Sequence, residues 1–159
     1  MRLRILDIDG SLPAQPGMAA ALRDGRVQCV DLRGEERSLR LWASRRRLRT
    51  LAARLSELPP APGRGTPVTF YGSGDYHHLA VLLIAAIAEP ITVIHFDNHA
   101  DWVRVPATHN CGGWVNRALA LPRVERVITL GICSDDLELP QLKSGNLPAL
   151  ATGRLEIHA

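Results

Sequence analysis

Hydrophobic and polar positions along the chain fall into a repeating order. Short, nearly unbroken runs of β-branched and apolar residues stand at 3–9 (LRILDID), 27–32 (VQCVDL), 67–71 (PVTFY), 91–97 (ITVIHFD) and 126–132 (RVITLGI). Such runs, apolar without strict alternation, read as strands covered on both faces. Between most of them the spacing changes to three and four. Residues 36–58 place Leu41, Leu48, Leu51, Leu55 and Leu58 on one side with arginines opposite, which predicts one long amphipathic helix. The Pro/Gly-rich connector PPAPGRGTP (59–67) stops that helix. Further helices are predicted over 78–88 and about 113–120, and a last strand at 154–158. Strands alternating with helices predict an α/β fold with a mostly parallel sheet. At 159 residues, the chain reads as one domain, 1–159.

The strand at 91–97 runs into FDNHADW, which places Asp97, His99 and Asp101 at every second position. On an extended chain these side chains project to one side. They would lie at the strand's C-terminal end, where open α/β sheets bind ligands. Two carboxylates brought near an imidazole repel each other unless a positive charge sits between them, and a divalent cation meets that need. The alternative is a set of unrelated caps, with Asp97 capping a helix and Asp101 pairing an arginine.

A second stretch, VTFYGSGDYHHLAVLLIAAIA, reads strand, Gly-rich turn, helix. Gly72 and Gly74 permit a tight or left-handed turn, and Asp75, His77 and His78 cluster there. The helix leads into strand 91–97, a βαβ unit with a right-handed crossover. If the two strands are neighbours, about 4.8 Å apart, His77 or His78 falls within reach of Asp97, His99 and Asp101. Carboxylate and imidazole donors without thiolate disfavour a structural zinc site. They suit Mn²⁺, with Fe²⁺, Co²⁺, Ni²⁺ or Zn²⁺ also compatible.

Charge adds little. The net charge is +3, carried almost wholly by arginine, since Lys143 is the only lysine. That bias can reflect coding-DNA composition. Arg45, Arg46, Arg47 and Arg49 read as a solvated helix face. No aromatic interleaving accompanies them, so no nucleic-acid partner is expected. Cys29, Cys111 and Cys133 are odd in number, widely spaced and form no CxxC, which fits a reducing cytosol. MRLRILDIDG carries acids where a signal peptide needs an apolar core. The longest apolar run, 79–88, is half of the roughly 20 residues a bilayer span requires. A cytoplasmic location without a membrane partner is therefore the expectation.

GSGDYHHLA followed by FDNHADW resembles the first two signature motifs of the arginase/agmatinase/formiminoglutamase (ureohydrolase) superfamily. Its members carry a Gly-Gly-Asp-His turn and then an Asp-Ala-His-x-Asp strand end. The resemblance implies an arginase-like fold of three layers, α/β/α, and a binuclear manganese site. It makes His77 a metal ligand, Asp97 the carboxylate bridging two ions, and His99 and Asp101 ligands to one ion each. Asp75 and Tyr76 stand where the family usually has Gly and Asp, which marks a divergent branch and leaves His77 against His78 open. THNCGGWVNRAL (108–119) falls where the family has a loop with a substrate-facing histidine, so His109 becomes the candidate catalytic residue. A nucleophilic pairing of Cys111 with a histidine has nothing in the sequence to orient it.

The family's last two aspartate ligands come from a Ser-x-Asp-x-Asp segment that these residues do not contain; Asp135 and Asp136 are adjacent and do not replace it. The implied function is hydrolysis of linear C–N bonds in small guanidino or formimino substrates. This chain is expected to be an N-terminal portion that binds metal weakly, or binds one ion, and turns over nothing useful. An unpaired sheet edge favours association with a second copy. The alternative is a non-catalytic metal-binding remnant or interaction module. A weaker resemblance, RLRILDIDGSL to the first motif of haloacid-dehalogenase-like phosphatases, would make Asp7 a nucleophile and Asp9 an acid/base. It leaves the His/Asp cluster unexplained.

Overall fold

Arg2–Asp7 (β1) forms where the apolar pattern places it. It pairs in parallel with Val27–Asp31 (β2) on one side and Pro67–Tyr71 (β3) on the other, with Leu3 opposite both Val27 and Val68. The computed structural model describes residues 1–104, 109–142 and 145–159. Lys143 and Thr108 therefore lie outside the described residues. Contacts divide the chain into two compact units, Met1–His77 and His78–Ala159.

In the first unit, consecutive residues Ile5, Leu6 and Asp7 are all buried, as a parallel strand covered on both faces requires. Ile5 packs with Ala21 and Val27, with Leu22 of helix Pro16–Arg23 (α1) beside them. The single helix expected over 36–58 is not formed. Glu36–Leu39 (α2) ends, Leu41 turns into the left-handed region at φ 62°, and Arg45–Ser56 (α3) begins afresh. Two interactions account for the break. The Ser44 side chain caps α3 by accepting from the Arg47 N–H at 3.2 Å. Asp75 takes the chain out of the helical path: its carbonyl accepts from Leu41 N at 2.8 Å and its carboxylate pairs Arg40 at 2.7 Å.

The glycine turn after β3 is set by sterics. Gly72 has φ +53°, and a Cβ there would meet the ring of buried Tyr76 at 2.5 Å. A Gly72→Ala variant is therefore expected to lose about 1–3 kcal/mol. Urea unfolding of the full chain checks this, and an unchanged midpoint would contradict it.

In the second unit Ile91–Phe96 (β4), Val124–Leu130 (β5) and Leu155–His158 (β6) form a parallel sheet in the order β4-β5-β6. Helices Ala80–Ala85 (α4), Trp114–Leu119 (α5) and Leu147–Ala151 (α6) accompany it. Trp102, Trp114, Val115, Ala118, Val127 and Leu155 make its core. Ile94 and Phe96, on the other face of β4, are 58% and 78% exposed. The fold class is thus α/β with parallel sheets. The expected neighbouring of strands 67–71 and 91–97 does not occur: β3 pairs β1, and β4 pairs β5 in a separate sheet. No helix among the described residues is long and apolar enough to cross a membrane.

Candidate metal centre

β4 carries its site residues on the covered face. Ile91, Val93 and His95 turn inward while Thr92, Ile94 and Phe96 turn out. Extended pairing finishes with Asp97, whose N–H reaches the Leu130 carbonyl at 3.2 Å. From there the chain does not continue as the strand that the alternation of Asp97, His99 and Asp101 presupposes. The His99 N–H donates to Asp97 Oδ1 at 3.0 Å, which closes a tight turn. Asp101 sits in the left-handed region at φ 48°. The turn, not alternation, brings Asp101 back toward Asp97.

Long-range bonds hold this turn. The Ala100 N–H donates to Asp136 Oδ2 at 3.0 Å, and the Asn98 carbonyl accepts from Cys133 and Ser134 at 3.3 and 3.2 Å. The Asp101 carbonyl accepts from Val115 N at 3.2 Å. The Asp101 carboxylate, 5% exposed, accepts from Trp114 Nε1 at 2.8 Å. A non-glycine residue in the left-handed region costs of order 1–3 kcal/mol and persists only where its surroundings impose it. The bonds from Trp114, Val115 and Asp136 are that imposition.

His77 and His78 lie in the 3-10 turn Gly74–Leu79 that runs into α4. Within the second unit the turn brings the Asp97 and Asp101 carboxylates together, with Asp97 Oδ2 and Asp101 Oδ2 3.4 and 3.7 Å from one and the same imidazole nitrogen, that of His95. The His99 side chain is 58% exposed, with Nδ1 3.7 Å from Asp97 Oδ1. His109 is half-buried just ahead of the 3-10 turn Cys111–Gly113. His78 is fully buried, and its Nδ1 lies 3.3 Å from Cys111 Sγ. The imidazole beside Cys111 is therefore His78.

Pattern reading missed His95. It is 8% exposed, and its Nε2 lies 3.4 Å from Asp97 Oδ2 and 3.7 Å from Asp101 Oδ2. Its Nδ1 lies 3.4 Å from the Thr129 hydroxyl, and Trp114 packs against its ring in a T-shaped arrangement, 4.9 Å between centroids. A signal was available: His95 precedes Asp97 by two on a strand, so both share a face. Asp136 carried no comparable signal, because it reaches the turn from 36 residues away.

At the other candidate motif, Asp7 Oδ1 accepts from the Gly10 N–H at 3.0 Å, and Asp7 Oδ2 lies 3.5 Å from Arg33 Nε. Asp9 accepts from Ser11 and Ser73. Burial pushes its carboxyl up, but these hydrogen bonds outweigh burial and leave it below the ordinary carboxylate range. These contacts build a turn and an ion pair, and they draw both carboxylates into local structure.

No family model matches the chain, and no solved structure matches it. It is similar to an uncharacterized protein of Thermotoga maritima, 38% identical over 64 residues. That match takes in 40% of this chain and 26% of the relative, so it spans about a quarter of the relative's length.

Proposed function

We propose that this α/β chain binds a divalent metal ion, Mn²⁺ first, through His77, Asp97 and Asp101, with His99 at the rim, in a ureohydrolase-type site of an arginase-like three-layer fold. The observation that supports the reading is the turn that brings the Asp97 and Asp101 carboxylates together within the second unit, and His77 joins them through the motif resemblance. The donor set fits such an ion: hard oxygen donors and imidazole, no thiolate. Two ionised carboxylates held close repel each other, and a bound cation offsets that repulsion.

A bound divalent ion of this kind lowers the pKa of water and polarises a C–N carbon, the chemistry of guanidino and formimino hydrolysis. The chain's own part is to hold the donors. Trp114 fixes the Asp101 carboxylate, the His99 N–H fixes Asp97, and His109 is the candidate for proton transfer to a leaving amine. The cytoplasm is the proposed location and a small molecule the proposed substrate class. The second reading is a metal-binding module without catalysis, in which Trp114 and the His99 N–H hold the two aspartates for an ion alone.

Calorimetric titration with Mn²⁺, joined to assays for urea and ammonia release from guanidino and formimino compounds, tests both. The expected result is one bound ion per chain without release of either product. Failure to bind Mn²⁺ would end the metal reading, and product release would make the chain itself an enzyme.

A further inference from the structure

Resting on the metal reading above, we infer that His95 is an additional ligand of that ion, a role that neither motif assigns to it. Three observations converge within the second unit. Nε2 of His95 faces both carboxylates, 3.4 Å from Asp97 Oδ2 and 3.7 Å from Asp101 Oδ2. Donors bound to one ion at about 2.1 Å stand roughly 3.0–3.4 Å apart, depending on coordination geometry. These separations are therefore close to those of ligands sharing a metal.

The ring is also oriented from behind. In the β4–β5 register His95 lies directly opposite Thr129, which is fully buried, and Nδ1 is 3.4 Å from its hydroxyl. Metal-bound histidines generally give their second ring N–H to such a partner, which fixes the tautomer and leaves the other nitrogen's lone pair for the metal. Trp114 completes the hold, with its ring T-shaped to His95 and its N–H on the Asp101 carboxylate at 2.8 Å. One indole thus positions two donors.

Nε2 faces the two carboxylates, so an ion placed among them meets all three donors. His95 lies on β4 and Asp97 directly follows it, still bonded to the Leu130 carbonyl, so the extended chain presents both donors to one side.

Mn²⁺ alone is the probe in calorimetry, and Co²⁺ is the probe in NMR, where it shifts ring N–H signals of bound histidines. In His95→Gln, Mn²⁺ affinity is expected to fall about 10- to 100-fold, and one shifted exchangeable N–H signal of the Co²⁺ protein is expected to vanish. In Thr129→Val the signal stays and affinity falls by less, on the order of tenfold. Near-UV circular dichroism of Trp114 verifies that the metal-free variants keep their packing, and His95→Asn serves if the glutamine variant does not.

If His95→Gln binds Mn²⁺ as the unaltered chain does and keeps every shifted signal, the assignment is wrong. His95 is then a charged partner of the two aspartates. If Asp97→Asn weakens binding in the same series, the metal site survives that failure. If Asp97→Asn binds as tightly as the unaltered chain, or the unaltered chain binds nothing, the metal reading fails and takes His95 with it.

Discussion

On the proposed metal reading, an Asp101→Asn variant is expected to keep its fold and to bind Mn²⁺ roughly 100-fold or more weakly. The substitution isolates charge from structure. Asp101 occupies the left-handed region at φ 48°, which asparagine tolerates as readily as aspartate. Its backbone carbonyl still accepts from Val115 at 3.2 Å. An amide oxygen can take the Trp114 Nε1 hydrogen bond, now 2.8 Å long. What disappears is one negative charge in a 5% exposed position beside Asp97 and His95. A divalent ion needs that charge to offset its own desolvation, while the metal-free protein does not. Unfolding of the metal-free variant should therefore shift by about 1 kcal/mol or less. A calorimetric titration beside a urea melt reads both quantities. An asparagine variant that holds Mn²⁺ with undiminished affinity would remove Asp101 from the ligand set.

The contrast between Asp97 and Asp101 shows what sequence pattern could and could not reveal. Asp97 follows a run of mostly apolar residues, so its place at the strand's C-terminal end is legible. The same holds for β1, β2 and β3, whose apolar runs mark them. Asp101 was grouped with it for the wrong reason. Alternation needs an extended chain, and the chain turns at Asn98–Asp101 under bonds from Asp136, Cys133 and Ser134. Those partners lie more than thirty residues on, where no local pattern can announce them.

The broken helix at 36–58 is a different failure. Leucine spacing favoured one helix, but Ser44 ahead of Arg45 was a readable N-cap, and Leu41 is 49% exposed, off the core it was expected to join. Helix α6 was hidden in a stretch that looks like loop, though Asn146 caps it by accepting from Ala149 N at 3.3 Å. His95 stands inside an apolar run, ITVIHF, and belongs to neither motif. A histidine on the covered face of a strand, two before an aspartate, is a burial problem that calls for partners.

Trp102→Ala is expected to be the most damaging single change in the second unit, at about 3–5 kcal/mol. Trp102 is 1% exposed and packs with Trp114, Val115, Ala118 and Ile132. Its surroundings cannot close over the void. Gly145 lies so near that a Cβ there would meet the indole at 2.9 Å, and the Trp102 carbonyl accepts from Asn116 Nδ2 at 2.6 Å. Asn146 in turn donates to Asn116 Oδ1 at 2.6 Å, so the indole, α5 and the start of α6 are tied together. Loss of the ring removes one wall of this arrangement and leaves a cavity. Trp102→Phe keeps much of the apolar contact and should lose only about 1–2 kcal/mol. Because Trp102 follows Asp101 in the chain, the alanine variant should lose Mn²⁺ affinity and stability together, whereas Asp101→Asn loses affinity alone. Urea melts followed by the fluorescence of the remaining tryptophans, paired with Mn²⁺ titration, separate the two. If the alanine variant melts like the unaltered chain, Trp102 does not anchor this unit, and the left-handed turn at Asp101 is held in place by its hydrogen bonds alone.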